Sequence, residues 1–313
     1  MIDLICPVDR MEIQNDTKGS GMHCPACGKK YETRDKVIRF MESPSSFYEG
    51  AFMNSVKFVP KSESLRHVWP LWFINNGYVW FVRKHVPQGS RVLEIGCAAG
   101  VRYFSERYRM IGADLSLSSL KAASSIYELC LQADVERGIP LKDGSVDAVI
   151  GSFFWEHIPP MKKSFVLAEC RRILKKGGRL VWLYDVETQN PLIRAAKAKD
   201  PELYRRLFIA KDGHLGYQTP VENRRLFEDA GFDIVRNAGM EKSFFQSPCV
   251  YEKFREWKGG IKGVGDLGSL LGKQPLFYAY TAFLRMIDTC VSPLLPMSWA
   301  RIVVTVCRKR DDA

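Results

Sequence analysis

One stretch limits the fold of this 313-residue chain more than any other: Arg91-Val92-Leu93-Glu94-Ile95 runs directly into Gly96-Cys97-Ala98-Ala99-Gly100. The first five residues read as a short, mostly apolar strand. The glycines then permit a sharp turn and a close approach of backbone to ligand, with a helix able to open near Val101. The loop lacks the middle glycine of a dinucleotide fingerprint, and no phosphate-binding Lys-Ser/Thr follows it. Glu94, two residues before the first glycine, suits a cationic or hydroxyl-bearing ligand better than a pyrophosphate.

Further strands follow in order. Arg109 to Asp114 and Leu129 to Asp134 each end in a carboxylate, and Ser145 to Ser152 reads as a fourth strand. Residues 161–175 predict a helix with Phe165, Ala168, Ile173 and Leu174 inward, stopped by Lys176-Gly177-Gly178. Arg179 to Tyr184, Phe232 to Val235 and Arg301 to Val306 complete the strands, and Thr219-Pro220-Val221-Glu222 carries a capping box with proline at the first helical position. Such alternation predicts an α/β fold: a doubly wound, seven-stranded, mostly parallel sheet, with a helical insertion before the last strand.

The stretches VLEIGCAAG (92–100), IGADLS (111–116), QADVERGIPLKDGSVDAVIGSFFWEHIP (132–159), ECRRILKKGGRLV (169–181) and TPVENRRLFEDAGFDIV (219–235) resemble class I S-adenosylmethionine (SAM)-dependent methyltransferases, especially the broad group that includes ubiquinone- and menaquinone-pathway enzymes. Ala98 stands where a glycine is common. The resemblance implies a Rossmann-like fold, SAM as cofactor, and a role for each matching residue. Glu94, Gly96, Cys97 and Gly100 line the methionine end of SAM. Asp114, with Leu115, holds the ribose. Asp134 and Val135 read the adenine edge, and Ser152 and Phe153 border the sulfonium.

Methyl transfer from a sulfonium needs alignment of donor and acceptor and exclusion of water, with a base where the acceptor is a hydroxyl or an acidic carbon. His157 lies just past the fourth strand, and His214 and Tyr217 precede the capped helix. Lone histidines are more often structural than catalytic; of the two, His157 has the better position. Ser152-Phe153-Phe154-Trp155 is not the Asp/Asn-Pro-Pro-Tyr type used on exocyclic base amines, and no Pro-Cys follows the strand. No clustered carboxylates point to a magnesium-dependent catechol site.

Residues 1–40 read as a small zinc-ribbon-like module. Cys24-Pro25-Ala26-Cys27-Gly28 aims two thiols at one point, Cys6 supplies a third, and Asp9 stands where a fourth cysteine is expected. Asp9 is the candidate fourth ligand, with His23 close in sequence; the alternative is a metal-free hairpin with reduced thiols. Nine cysteines, mostly scattered, argue against a disulfide framework and for the cytosol, and the first residues carry no basic leader.

Residues 41–88 form an aromatic lead-in of two helical pieces, in which Tyr48 is a candidate cover for the ligand, and 89–313 form the methyltransferase domain. The insertions 187–218 and 240–298 leave the ligand-binding edge and are candidate substrate lids; Gly259 to Gly272 reads as a flexible hinge. Arg285, Asp288, Pro293 and Pro296 interrupt the apolar stretch 276–299, which opposes a membrane span and leaves peripheral contact open. The net charge of +11 suits RNA or an anionic surface, although pairs such as Lys162-Lys163 and Arg205-Arg206 read as solvated helix faces. Three functions follow: methylation of oxygen or carbon on a small or lipid-like acceptor; RNA methylation with residues 1–40 as the nucleic-acid module; or a non-catalytic SAM-binding partner.

Overall fold

The computed structural model describes residues 3–16, 21–42, 48–49 and 77–311. Of the aromatic lead-in, Tyr48, Glu49 and a helix α1 (Gly77–His85) are described; the rest of the expected helical pieces lies outside the described residues.

The central sheet is built on β5 (Arg91–Ile95), β6 (Arg109–Asp114), β7 (Leu129–Gln132), β8 (Val146–Ser152), β9 (Leu174–Asp185), β10 (Phe232–Met240) and β11 (Ile302–Lys309). Their spatial order is β7-β6-β5-β8-β9-β11-β10; β5 to β9 run parallel and β11 is antiparallel to both neighbours. Side chains alternate between two apolar layers. Leu93, Ile111, Val149 and Trp182 enter one, and Val92, Met110, Ile150 and Val181 the other. A strand covered on both faces must be apolar at nearly every position, so these segments read as continuous hydrophobic runs. The chain winds from β5 outward in one direction and then returns to β8 on the other side. The reversal leaves a crevice at the carboxyl end of β5, beside the 96–100 loop.

The N-terminal residues add strands to the same sheet. β1 (Gln14–Asn15), β2 (Gly21–His23), β3 (Lys30–Arg34) and β4 (Val37–Arg39) form an antiparallel ribbon, and β4 pairs in parallel with β7 through Val37–Cys130, Ile38–Leu131 and Arg39–Gln132. Leu4, Cys6, Cys24 and Tyr31 join one of the two main cores.

The remaining helices are α2 (Arg102–Ser105), α3 (Leu117–Ala123), α4 (Pro160–Ile173), α5 (Pro191–Lys199), α6 (Pro201–Tyr204), α7 (Pro220–Asp229), α8 (Pro248–Lys253), α9 (Gly260–Leu271) and α10 (Leu276–Cys290). α7 carries the expected capping box, with Thr219 and Glu222 exchanging side-chain and backbone hydrogen bonds. α4 differs from expectation. It ends at Ile173, before the glycines, and turns Lys163, Val166, Leu167, Glu169 and Cys170 inward, while Phe165 and Ala168 face out. Lys163, expected on a solvated face, is fully buried, because its ammonium reaches the Gly216 carbonyl at 2.6 Å and Asn223 Oδ1 at 3.3 Å.

Gly259 to Gly272 is not a hinge but the helix α9. A Cβ at Gly265 would stand 2.3 Å from the Arg255 backbone nitrogen, and one at Gly268 would stand 2.4 Å from Tyr251 Cβ. The glycines form the face on which α9 approaches α8 and the turn after it, and tertiary packing overrides their low helix propensity. The two insertions share a third core of Ile193, Tyr204, Phe208, Tyr251, Phe254 and Trp257, so they form one helical cap. No helix among the described residues is long and apolar enough to cross a membrane.

Candidate active site

The crevice has two walls, one from β5–β7 and one from β8–β9. On the first, Asp114 ends β6 and anchors the glycine loop. Its Oδ2 accepts from the Ala98 N–H at 2.8 Å and its Oδ1 from Ser116 N–H at 2.9 Å. Ala98 is held at φ 47°, between Gly96 at 64° and Gly100 at 76°. Left-handed backbone here suits glycine, and at Ala98 the Asp114 hydrogen bond to its N–H helps to hold it. Cys97 is buried, its thiol packed over Gly112. Glu94 is also fully buried beneath the loop. It accepts a 2.5 Å hydrogen bond from the Tyr127 hydroxyl, which accepts from Val101 N–H at 2.8 Å. Glu94 therefore braces both ends of the loop through Tyr127.

Gln132 at the end of β7 donates to the Leu115 carbonyl at 3.2 Å, which fixes the turn after Asp114. Asp134 accepts from Glu136 N–H at 3.0 Å and pairs with Arg137 at 3.1 Å, and Val135 beside it is buried. Ser152 ends β8, and Phe153 follows at φ 54°, largely exposed, its N–H donating to Leu183. Glu49 was not foreseen. Its carboxylate accepts from the backbone N–H groups of Leu117 and Ser118 and from the Ser118 hydroxyl, closing the N-terminus of α3 beside Asp114.

On the second wall, Trp155–His157 form a single 3-10 turn after β8. The loop 213–216 is latched to it. Gly216 N–H donates to the Glu156 carbonyl at 2.8 Å, and His157 Nδ1 lies 3.0 Å from the Gly213 carbonyl. A Cβ on Gly216 would stand 1.9 Å from the Ile158 carbonyl oxygen, so only glycine allows this approach. The latch brings His157 and His214 together, ring centroids 5.4 Å apart, with Tyr217 stacked on His214 at 5.0 Å. Burial, then the neighbouring His214, push His157 down to about 4; burial also lowers His214, against the opposing charge of Asp185.

Beside them Asp185 ends β9 and accepts from Arg301 at 2.8 Å, and Arg301 also holds Glu241 at 2.7 Å. This buried trio joins the tips of β9, β10 and β11 under the helical cap. Sequence reading missed Asp185, Glu241, Arg301 and Tyr127, whose partners are distant in the chain and leave no local signal.

Tyr48 reaches both walls. Its ring meets His157 edge-on with centroids 6.2 Å apart, and burial followed by the charges of Asp114, Glu136, Glu156 and Asp134 pushes its hydroxyl up to about 12.

At the N-terminus, Cys6, Asp9, Cys24 and Cys27 present ligand atoms that all lie within 4.8 Å of one another. Cys24 Sγ is 3.1 Å from Asp9 Oδ2, and Cys6 Sγ is 3.7 Å from Cys27 Sγ. His23 is not in this group. Three thiols and a carboxylate suit tetrahedral zinc.

Residues 93–182 match a family described as a methyltransferase domain. A 37.1 kDa protein in transposon TN4556 of Streptomyces fradiae, described as uncharacterized, is 29% identical over 161 residues, which cover 47% of this chain and 44% of that protein. This chain thus spans less than half the length of that relative. A demethylmenaquinone methyltransferase of Lactiplantibacillus plantarum is 27% identical over 176 residues, covering 48% of this chain and 73% of the relative. Among solved structures, the geranyl diphosphate C-methyltransferase of Streptomyces coelicolor superposes with TM-score 0.49 at 12% identity, covering 83% of this chain and 89% of that one.

The sequence match thus places a methyltransferase domain on residues 93–182, which span the glycine loop and the strands β5 to β8 on which the crevice is built.

Proposed function

We propose that the protein moves a methyl group from SAM to an oxygen or carbon of a small, lipid-like acceptor. The observation that supports this reading is the edge-on contact of the Tyr48 ring with His157, where the hydroxyl also feels the charges of Asp114 and Asp134 from the other wall. Asp114 accepts hydrogen bonds from the ribose hydroxyls, and Leu115 lies in the turn beside it. Asp134 and Val135 meet the adenine. The 96–100 loop, with Glu94 bracing it from below, receives the methionine moiety. Ser152 and Phe153 border the sulfonium.

In the transfer, the sulfur–methyl bond breaks as the acceptor–carbon bond forms. The bonding pair stays on sulfur, giving S-adenosylhomocysteine, and the acceptor's proton leaves toward the cluster at the ends of β8 and β9. Burial under the helical cap excludes water, and alignment supplies most of the acceleration. The cap supports an apolar acceptor: Leu267, Leu270, Leu276, Phe283 and Met286 on α9 and α10 are exposed. At the N-terminus, the Cys6, Asp9, Cys24 and Cys27 group is proposed to hold structural zinc, fastening the ribbon that extends the sheet.

Incubation with methyl-labelled SAM and a cell extract, followed by separation into lipid, RNA and water-soluble fractions, tests the reading. Label is expected in the lipid or small-molecule fraction. Label in RNA favours nucleic-acid methylation, and label in none favours a non-catalytic SAM binder; either outcome overturns the proposal.

A further inference from the structure

We propose that Glu156, His157 and His214 form a second metal site, for a divalent transition-metal ion that binds the methyl acceptor. One carboxylate and two imidazoles, with ligand atoms all within 4.8 Å of one another, meet at the carboxyl ends of β8 and β9. Zinc–nitrogen distances of about 2.0–2.1 Å place tetrahedral ligands roughly 3.3 Å apart.

The second observation is Glu156 itself. It is 1% exposed, and neither carboxylate oxygen has a hydrogen-bond partner. A buried carboxyl without a partner is costly, and such groups are usually paired or bound to metal. Burial and the charge of Asp185 oppose its ionisation more than the Lys163 ammonium and the backbone N–H groups of Glu156 and Asp185 favour it, whereas a cation between the two histidines removes the conflict.

The histidines are oriented as ligands. His157 donates through Nδ1 to the Gly213 carbonyl, the tautomer that leaves Nε2 as the lone-pair nitrogen. His214 turns Nε2 toward Asp185 Oδ2 at 3.9 Å, and its Nδ1 is buried with no hydrogen-bond partner. Metal-bound histidines commonly present their other ring nitrogen to a carbonyl or a carboxylate, and both patterns occur here. Two imidazoles and one carboxylate leave coordination positions open and favour zinc, iron(II), cobalt or manganese over magnesium or calcium.

This inference deepens the methyltransferase reading and rests on it for its chemistry. An ion held by these residues would lower the pKa of an acceptor hydroxyl or enol oxygen, easing loss of its proton toward Asp185 at the end of β9 and priming the oxygen to attack the methyl carbon. The substrate class narrows to acceptors with such an oxygen.

The test uses the full chain carrying Cys6→Ser, Cys24→Ser and Cys27→Ser, which removes the N-terminal thiols, titrated with Co2+ and followed by visible absorption. The expected result is one Co2+ per chain with ligand-field bands and no thiolate charge-transfer band. Glu156→Gln and His214→Ala, each in that background, should weaken binding at least tenfold while SAM affinity is unchanged. No Co2+ binding by the parent, or binding that neither substitution weakens, overturns the site. Where a variant also loses SAM affinity, the ligand-field spectrum of the parent decides. A parent that takes up Co2+ but not SAM sinks the methyltransferase reading and leaves the metal site standing.

Discussion

Asp114 Oδ2 accepts a 2.8 Å hydrogen bond from the backbone N–H of Ala98, so the carboxylate proposed to hold the ribose also fixes the loop proposed to hold the rest of the cofactor. Its removal deletes a charge-assisted acceptor and frees a loop with positive φ at the three alternate residues 96, 98 and 100. Asp114→Ala is expected to weaken binding of SAM and of S-adenosylhomocysteine at least tenfold, or about 1.4 kcal/mol. Calorimetric titration checks this, and unchanged affinity removes the ribose assignment.

Much of this wall was legible in the sequence because the strands are buried on both faces and leave apolar runs that end in Glu94, Asp114 and Asp134. The wall from β8 and β9 was less legible. His157 and His214 were singled out separately, but their meeting depends on Gly216 lying against Ile158, a contact no periodicity encodes. The burial of Lys163 was hidden for the same reason, since its acceptors come from the 216 loop and α7. α9 was misread because its glycines signal flexibility locally, whereas the α8 backbone uses them for close packing.

Lys163 gives a pH signature. Burial lowers its ammonium from an ordinary 10.5 to about 7, against the opposing charges of Glu156 and Glu222. With a folded pKa below the unfolded one, the unfolded chain binds more protons between those values, so stability rises with pH above 7. A gain of about 2 kcal/mol is expected between pH 7 and pH 9 from this group. Urea unfolding across that range should show the rise in the wild type and its loss in Lys163→Met. Parallel slopes in the two proteins refute the assignment.

Arg301 holds Asp185 and Glu241 in a buried cluster, and its charge keeps Glu241 below the usual carboxyl range although burial works to raise it. Arg301→Met removes the cation that both Asp185 and the buried Glu241 contact. A loss of about 3–5 kcal/mol is expected on chemical denaturation. A loss below 1 kcal/mol shows that the trio does not anchor the cap.

Two glycines of α9 should respond in opposite directions. Gly263 is exposed with open space around it, and Gly263→Ala is expected to stabilise the helix by about 0.5–1 kcal/mol. Gly268→Ala forces its methyl into Tyr251 and should destabilise the cap by about 1–3 kcal/mol. Thermal unfolding and limited proteolysis of residues 240–298 distinguish the two, and equal responses contradict the packing role.

Gly216 isolates the geometry of the wall proposed to receive the acceptor from its chemistry. Gly216→Ala adds no charge and removes no proposed ligand or base, but its methyl cannot occupy a point 1.9 Å from the Ile158 carbonyl oxygen. The loop must lift, carrying the Gly213 carbonyl away from His157 and His214 away from Glu156. Asp114 and the 96–100 loop lie on the other wall and are untouched. Turnover should therefore fall at least a hundredfold, because small misplacements of reacting groups have effects of about that size, while SAM affinity stays within twofold. A variant that loses both together shows that the two walls are one cooperative unit. A variant that keeps full turnover shows that the histidine pair is not needed for methyl transfer.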